Sequence, residues 1–249
     1  MAAIAKREVG VPRAPAGEHR SLKARRVSQS SVRDLLLIAL TFSSGAVDAI
    51  SYLALGKVFT AFMTGNLVFL GLGLAGSEVA SVLRVAVSLA AFAAGVAVSA
   101  RIVQASRGSR IWPGRVSIAL ALSVVAEAGF LAGWVVTSGR PTTGVGDLLV
   151  GAMALAMGIQ SGAVMSLGVK GVFTTAATAS VMFLMSDVAA WAESAVERRR
   201  LAGVIGALVA GATFGALLIL HARSYAPALP LFVTGLVIAT ASVGLRSPR

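Results

Sequence analysis

Two carboxylates lie inside long apolar stretches of this 249-residue chain, where a charge is costly. Asp48 lies about two-thirds of the way along the first stretch, and Glu127 lies in the middle of the fourth. A charged side chain near a bilayer centre costs roughly 2.5 to 3.5 kcal/mol, so each carboxylate needs compensation. The candidate partners are Lys57, Arg84 and Lys170, and the alternative is a protonated carboxylate. Each carboxylate therefore has two possible roles. It is a functional group, which relays protons or cations or binds a solute, or it is half of a structural pair that fixes helix packing.

A polar block, Thr64-Gly65-Asn66, interrupts the second apolar stretch. Glycine permits a non-helical backbone, and the Thr and Asn side chains can bond backbone groups freed by a break. A half-helix beginning there would direct its N–H groups into the protein and offer a site for an anionic group. The alternative is that these small residues only permit close helix contact, as Gly211 and Gly215 do at GxxxG spacing. Further candidate ligands are polar residues in apolar surroundings: Tyr52, Thr60, Gln160, Thr174 and Thr178.

Lysines accompany both of the places where an apolar stretch is interrupted. Lys57 precedes the first polar block, and Lys170 precedes the Thr-rich run from Thr174 to Thr178. If either lysine faces a central cavity, the solute carries a carboxylate or a phosphate group. The alternative is that both ammonium groups reach outward to the lipid headgroups.

The chain has few residues that could hold a metal or cofactor. It contains 0 Cys, and His19 and His221 lie about 200 positions apart, which is no metal-ligand spacing. The clustered methionines are typical of core filler, because a copper path normally includes Cys or His. We therefore predict no cofactor and no metal.

The composition places the chain in a membrane. Hydrophobic residues make up 57% and charged residues 13%, with a mean hydropathy of +0.85. A soluble domain carries about a quarter charged residues, so that class is excluded. The formal net charge of +12 is concentrated partly in residues 1–34, which we predict to be a disordered basic tail attracted to anionic lipid. No aromatic residue lies within this tail, so we predict no nucleic-acid partner.

Eight apolar stretches follow the tail, and the arginines between them favour six crossings. If all eight stretches crossed, the basic residues outside the tail would divide seven to seven between the two sides. If 35–76 and 147–191 each make one net crossing, as a helix plus a re-entrant or broken segment, the division becomes nine to three, with Lys57 and Lys170 at the two breaks left uncounted. Cytoplasmic loops carry the excess of Lys and Arg. We therefore predict six net crossings, both termini cytoplasmic, in a bacterial inner membrane.

An internal duplication is visible when the sequence is shifted by 114 positions. The shift aligns repeat 1, about 35–137, with repeat 2, about 147–245, within a membrane domain spanning 35–245. Three net crossings per repeat is an odd number, so the two copies would be inverted. Inverted repeats with an interrupted segment at matching places are typical of secondary transporters. The aligned residues include Val58-Phe59-Thr60 with Val172-Phe173-Thr174, and Thr64 with Thr178.

The motif running from Gly45 through Asp48 and Tyr52 to the Met63-Thr64-Gly65-Asn66 block resembles the bacterial YoaK-type membrane protein family, a domain of unknown function. The resemblance covers roughly 35–245 and includes Gly158-Ile159-Gln160 with the Thr-rich run after it. It implies a membrane location and several spans, and it brings no substrate. The chain departs from the family pattern at Thr178-Ala179, where a second Thr-Gly is expected.

These observations predict an all-α membrane protein, a helical bundle with an inverted repeat and a broken segment in each half. The leading hypothesis is a small-solute secondary transporter coupled to protons through Asp48 and Glu127. The alternatives are a membrane-embedded enzyme, which would need two facing carboxylates because no Ser-His-Asp set or HExxH motif is present, and a lipid-interacting scaffold acting through the tail. The predicted partners are the lipid bilayer and a small-molecule solute, and the sequence leaves open whether the chain forms a homo-oligomer.

Overall fold

The computed structural model describes residues 16–104, 111–169, 172, 174–175, 177–190 and 195–245, and the regular structure in these residues is helical. Eight α-helices follow one another, and a short 3₁₀ turn at Arg223–Tyr225 precedes the last of them. The helices are α1 Ala16–Ala54, α2 Met63–Leu74, α3 Val82–Val103, α4 Gly114–Val136, α5 Thr143–Met165, α6 Ala177–Ala190, α7 Ala195–His221 and α8 Ala228–Gly244.

Six of these helical segments are long and apolar enough to span a membrane, and α2 and α6 are not. With 12 and 14 residues, these two helices extend only about 18 to 21 Å, against roughly 30 Å of hydrocarbon. Each short helix follows a spanning helix and a break. The prediction of an all-helical bundle with six apolar spans is therefore confirmed. The spans are 29–54, 82–103, 114–136, 143–165, 195–221 and 223–244.

The first helix extends well beyond its membrane segment toward the N-terminus. It begins at Ala16, so residues 16–34, assigned above to a disordered tail, are helical, while residues 1–15 lie outside the described part. Strong helix formers between Leu22 and Arg26 account for this extension. The helix ends at Ala54 because Gly56 and Lys57 adopt left-handed conformations, with φ of 86° and 59°.

Helix α1 packs along α7 through glycines that touch the partner's backbone. A Cβ atom on Gly211 would lie 1.9 Å from the Phe42 carbonyl oxygen, and one on Gly215 would lie 2.5 Å from the Ala46 carbonyl oxygen. Only glycine permits such an approach. From the first contact to the second, the residue number rises by four in both helices, so α1 and α7 run parallel. A third contact of this kind brings Gly45 against the Leu208 carbonyl oxygen.

Helices α3 and α5 form a second parallel pair in the same way. A Cβ atom on Gly158 would lie 2.1 Å from the Phe92 carbonyl oxygen, and one on Gly162 would lie 2.8 Å from Cβ of Ser99. The residue number again rises in both helices from the first contact to the second, so α3 and α5 run parallel. The pair is completed by Gly95, which lies against the Leu155 carbonyl oxygen.

Helices α1 and α5 cross in opposite directions at the centre of the bundle. The Gln160 side-chain amide donates to the Leu40 carbonyl oxygen at 3.3 Å and to Ser44 Oγ at 3.1 Å. Ser44 Oγ in turn lies 4.0 Å from Met157 Sδ. Because positions rise along α1 while they fall along α5, the two helices are antiparallel.

One arginine–aspartate ion pair joins the two helices of each parallel pair. Arg84 at the start of α3 lies 2.5 Å from Asp147 near the start of α5. Arg200 near the start of α7 lies 3.5 Å from Asp34 of α1, and its guanidinium also contacts Glu197. Each parallel pair therefore carries one arginine–aspartate contact, close to the N-terminal ends of α3, α5 and α7 and to the beginning of the membrane segment of α1.

Candidate solute-binding region

Asp48 holds the first break in place through backbone hydrogen bonds. Its Oδ1 accepts from the N–H groups of Thr60 at 2.9 Å and Ala61 at 2.8 Å, and its Oδ2 accepts from Phe62 at 2.9 Å. These three donors immediately precede α2, so the carboxylate fills the anion position at the start of that half-helix. Asp48 is thus the anion that occupies the place where the sequence analysis expects a solute.

The two cationic partners considered for Asp48 that the structure describes, Arg84 and Lys57, form no ion pair with it. Arg84 pairs with Asp147 and donates to the Leu55 carbonyl oxygen at 2.8 Å. Lys57 is exposed in the break and forms no ion pair with any described residue. Lys170 lies outside the described residues. Backbone N–H groups, rather than Arg84 or Lys57, therefore compensate the charge of Asp48.

Asn66 closes the same break from the side of α2. Its side chain accepts from the Phe59 N–H at 3.0 Å and donates to the Phe59 carbonyl oxygen at 2.7 Å. Its amide also donates to Ser88 Oγ of α3 at 3.1 Å, and Ser88 donates to the same carbonyl at 2.7 Å. Asn66 and Ser88 are both fully buried. This network satisfies the backbone where the helix is interrupted and anchors it to α3.

Aromatic rings cover the first break and explain two of the predicted site residues. Tyr52 stacks on Phe59 with ring centroids 5.2 Å apart, and Phe59 stacks on Phe69 at 5.7 Å. A Cβ atom on Gly65 would lie 2.6 Å from the Phe62 ring, so only glycine leaves room for the rings. Tyr52 and Gly65 thus pack the break, whereas the neighbouring Thr64 is exposed.

Glu127 is the second carboxylate, and its surroundings differ from those of Asp48. It is fully buried between α4 and α8, near the middle of its span. The hydroxyl of Thr234 lies 3.1 Å from its Oε1, and Oε2 has no partner among the described residues. The Thr234 hydroxyl also lies 3.0 Å from the Pro230 carbonyl oxygen. Glu127 therefore touches a neutral group, and no described cation compensates a charge on it.

A cavity of about 170 Å³ lies beside the second break, between α3, α5 and the residues Val172, Thr174 and Thr175. Its polar residues are Ser161, Thr174 and Thr175. Ser161 Oγ lies 3.0 Å from Thr175 Oγ1 and also donates to the Met157 carbonyl oxygen at 2.7 Å. Thr174 is 2% exposed, and its hydroxyl has no partner among the described residues. The remaining lining residues are Phe92, Val96, Gly162, Val164, Met165 and Val172.

Each of the two breaks contains a buried threonine. Thr60 in the first break and Thr174 in the second are both buried, and neither hydroxyl has a partner within the described ranges. These residues are aligned by the 114-residue shift. None of the residues lining the cavity belongs to the first break. The predicted residues of the two breaks therefore lie in two separate places, and Thr178 is exposed on α6.

The central polar residue Gln160 is fully buried where α1 and α5 cross. Its amide nitrogen donates to α1, while its Oε1 has no partner in the described part of the chain. It therefore joins the two helices and retains one free acceptor.

Sequence reasoning missed the partners that complete these sites. Ser88, Ser161, Thr234 and Asp147 each contact a break or a buried charge across a helix interface. Their only sequence signal is a polar side chain within an apolar helix, and Ser and Thr are common in such helices.

The comparisons with known proteins agree with this architecture. The family described as "Protein of unknown function (DUF1275)" matches residues 36–241. The UPF0700 transmembrane protein YoaK of Bacillus subtilis (strain 168) is 35% identical over 162 residues, covering 65% of this chain and 70% of that relative. No solved structure matches the chain.

Proposed function

The chain belongs to the DUF1275 family, and on that premise we propose that it is a proton-coupled secondary transporter of a small solute, with Glu127 as the proton carrier. The family resemblance predicted from the sequence is confirmed, as is the membrane class that it implies. The activity itself rests on two arguments, one from the arrangement of the helices and one from the buried carboxylates.

The first argument is that the two halves relate to each other as inverted repeats. A shift of 113 residues carries α1 onto α5, and a shift of 116 carries α3 onto α7. When both shifts are applied to the two residues of one contact, they give the two residues of another contact in the structure. The 113-residue shift also carries Ser44 onto Met157, and these two residues touch each other at the crossing of α1 and α5. The exchanged contacts are Phe42–Gly211 with Leu155–Gly95, Gly45–Leu208 with Gly158–Phe92, and Asp34–Arg200 with Asp147–Arg84.

An inverted pair of this kind supports alternating access. Because the two halves have similar contacts and opposite orientations, rocking one against the other exchanges an outward-open state for an inward-open one. The antiparallel crossing of α1 and α5 supports this relation. The two arginine–aspartate pairs then lie at opposite faces of the membrane, one at each end of the pathway.

The observation that carries the coupling proposal is the environment of Glu127. A charged carboxylate at mid-membrane without a cation is costly, so we propose that Glu127 is protonated at rest. Its free Oε2 leaves a position from which a proton can be released or accepted. Asp48 has the opposite environment, because three N–H groups stabilise its charge. We therefore assign proton transfer to Glu127 and a structural role to Asp48.

The enzyme alternative receives less support from the same geometry. A membrane-embedded enzyme of the kind considered above needs two carboxylates that face each other. Asp48 bonds the break before α2, whereas Glu127 bonds Thr234 of α8, and they share no hydrogen-bonding partner among the described residues.

The proposal is tested with reconstituted protein and the variant Glu127→Gln. Liposomes containing a pH-sensitive dye are exposed in turn to small organic acids, amines and neutral solutes. We expect the wild-type protein to couple the uptake of at least one solute to proton movement. Glu127→Gln should retain exchange of that solute across the membrane and lose proton-driven net uptake. The glutamine amide can still form a hydrogen bond with Thr234, but it does not gain or lose a proton.

The matched control is Glu78→Gln, which changes an exposed carboxylate in the loop before α3 in the same way. It should transport like the wild-type protein. Proton-driven uptake by Glu127→Gln at the wild-type rate, or no solute moving faster than in empty liposomes, would overturn the proposal.

We also propose that both termini face the cytoplasm in the bacterial inner membrane. The chain has no cysteine, so single cysteines report topology directly. We expect an impermeant thiol reagent added to intact cells to label Ala75→Cys, after α2, and to leave Gly114→Cys, at the start of α4, unlabelled until the cells are opened. Both positions are exposed. The reverse pattern would show the opposite orientation, and labelling of both would contradict six crossings.

A further inference from the structure

We propose that the cavity at the second break binds the carboxylate of a short aliphatic monocarboxylate, in the place that the Asp48 side chain has at the first break. This inference rests on the proposed function and names the class of its solute. It follows from comparing the two breaks residue by residue.

Ser161 is the counterpart of Asp48 in the second half. The 113-residue shift that exchanges the glycine contacts of α1 and α5 carries Asp48 onto Ser161. Both side chains point from a spanning helix to the break that follows it: Asp48 bonds the N–H groups of residues 60–62, and Ser161 bonds the Thr175 hydroxyl. The break residues Thr60 and Thr174 match at a shift of 114, so the second loop holds one additional residue.

The second half therefore lacks the internal carboxylate that the first half has. A serine hydroxyl is shorter than a carboxylate and carries no charge. Within the described residues, neither the Thr174 nor the Thr175 N–H donates to a protein acceptor, whereas their counterparts at Thr60 and Ala61 bond Asp48. The space left over is the cavity, which Ser161 and Thr174 line.

The buried hydroxyl of Thr174 is an independent sign of a missing ligand. This side chain is 2% exposed, lines the cavity, and has no hydrogen-bonding partner in the described ranges. An unpaired buried hydroxyl is costly, and a bound acceptor would satisfy it. A carboxylate can accept at once from this hydroxyl and from the backbone donors at the start of α6.

The size and lining of the cavity limit the rest of the solute. A dry cavity of about 150 Å³ holds a benzene molecule, so a cavity of about 170 Å³ accepts roughly six non-hydrogen atoms. Phe92, Val96, Met165 and Val172 form apolar walls beside the polar end. A carboxylate with a chain of about three further carbons fits both the volume and the walls. Cotransport of such an anion with one proton moves no net charge.

The test measures binding of radiolabelled butyrate to the full chain in lipid nanodiscs, so it does not depend on transport. We expect butyrate to bind, and the uncharged isostere butyramide to compete at least about tenfold more weakly. Ser161→Asp places a carboxylate at the position that matches Asp48, and we expect it to abolish butyrate binding. Thermal unfolding of this variant checks that the fold is retained.

A second variant keeps the test independent of that substitution. Thr174→Val preserves shape and removes the unpartnered hydroxyl, so we expect butyrate affinity to fall about tenfold. Thr178→Val, the same change at an exposed position of α6, should bind like the wild-type protein.

Several results would overturn the inference. These are equal competition by butyramide, full butyrate affinity in a folded Ser161→Asp or Thr174→Val protein, and butyrate binding in detergent that disappears in nanodiscs because a lipid chain fills the cavity. Glu127-dependent transport of another solute by a protein that does not bind butyrate would refute this site alone. Butyrate binding without any transport would instead refute the proposed function.

Discussion

Replacing Asp48 with alanine is expected to release the loop between α1 and α2 and to destabilise the folded protein by about 3 kcal/mol. The substitution removes the acceptor of three N–H groups and replaces it with a methyl group. A buried donor that loses its partner costs about 1 to 3 kcal/mol, and water entering from the exposed side of the loop offsets part of this. Asp48→Asn should be milder, because the amide oxygen still accepts.

Trypsin provides a direct measurement of that release. Lys57 lies in the loop, is exposed, and is held in a left-handed conformation that a protease cannot accommodate without local opening. We expect cleavage after Lys57 to be faster in solubilised Asp48→Ala than in the wild-type protein, together with a lower thermal unfolding midpoint.

The control for this experiment is Glu78→Ala, which removes an exposed carboxylate from the next loop. It should leave both the cleavage rate and the midpoint unchanged. If Asp48→Ala retained wild-type stability and protection at Lys57 while losing transport, the carboxylate would have a functional role in place of the structural one assigned here.

Adding a single methyl group at Gly211 is expected to have the largest effect of any conservative change in the chain. Its Cβ atom would lie 1.9 Å from the Phe42 carbonyl oxygen, which is part of the α1 backbone and cannot rotate away. The two helices must separate along their whole contact. Overpacking of side chains alone costs about 1 to 3 kcal/mol, so we expect Gly211→Ala to lose at least that much, measured by urea-dependent accessibility of a reporter cysteine.

Gly206 gives a matched control within the same helix. No atom lies within 4 Å of the position that its Cβ would occupy, so Gly206→Ala should be neutral or slightly stabilising. Gly95→Ala, at the corresponding contact between α3 and α5, should be as harmful as Gly211→Ala, because its Cβ atom would lie 2.3 Å from the Leu155 carbonyl oxygen. A tolerated Gly95→Ala beside a harmful Gly211→Ala would mean that the two helix pairs are not equivalent.

The sequence predicted the positions of the breaks well because their cause is local. Gly56 adopts the left-handed conformation that ends α1, and this preference acts within a few residues. The count of six spans followed from charge bias and length, which depend on the bilayer rather than on tertiary contacts.

The partners of the buried polar groups were not predictable in the same way. A carboxylate in an apolar helix requires compensation, but a sequence cannot distinguish a lysine from three backbone N–H groups, as at Asp48. The repeat alignment was set by Val58-Phe59-Thr60, so it gave the register of the loops and missed the one-residue difference in α1 and α5. That difference conceals the match between Asp48 and Ser161, which only the glycine contacts reveal.

The pairing of α1 with α7 and of α3 with α5 also constrains how the protein is made. Each early helix depends on a partner from the later part of the chain, so α1 must wait for more than 140 residues to be synthesised after it ends at Ala54. At about 5 to 20 residues per second, this interval lasts roughly 10 to 30 seconds. Throughout it, the buried serines and glycines of α1 face lipid or a temporary partner. Insertion factors that shelter a polar helix should therefore determine the yield of this protein more than its final stability does.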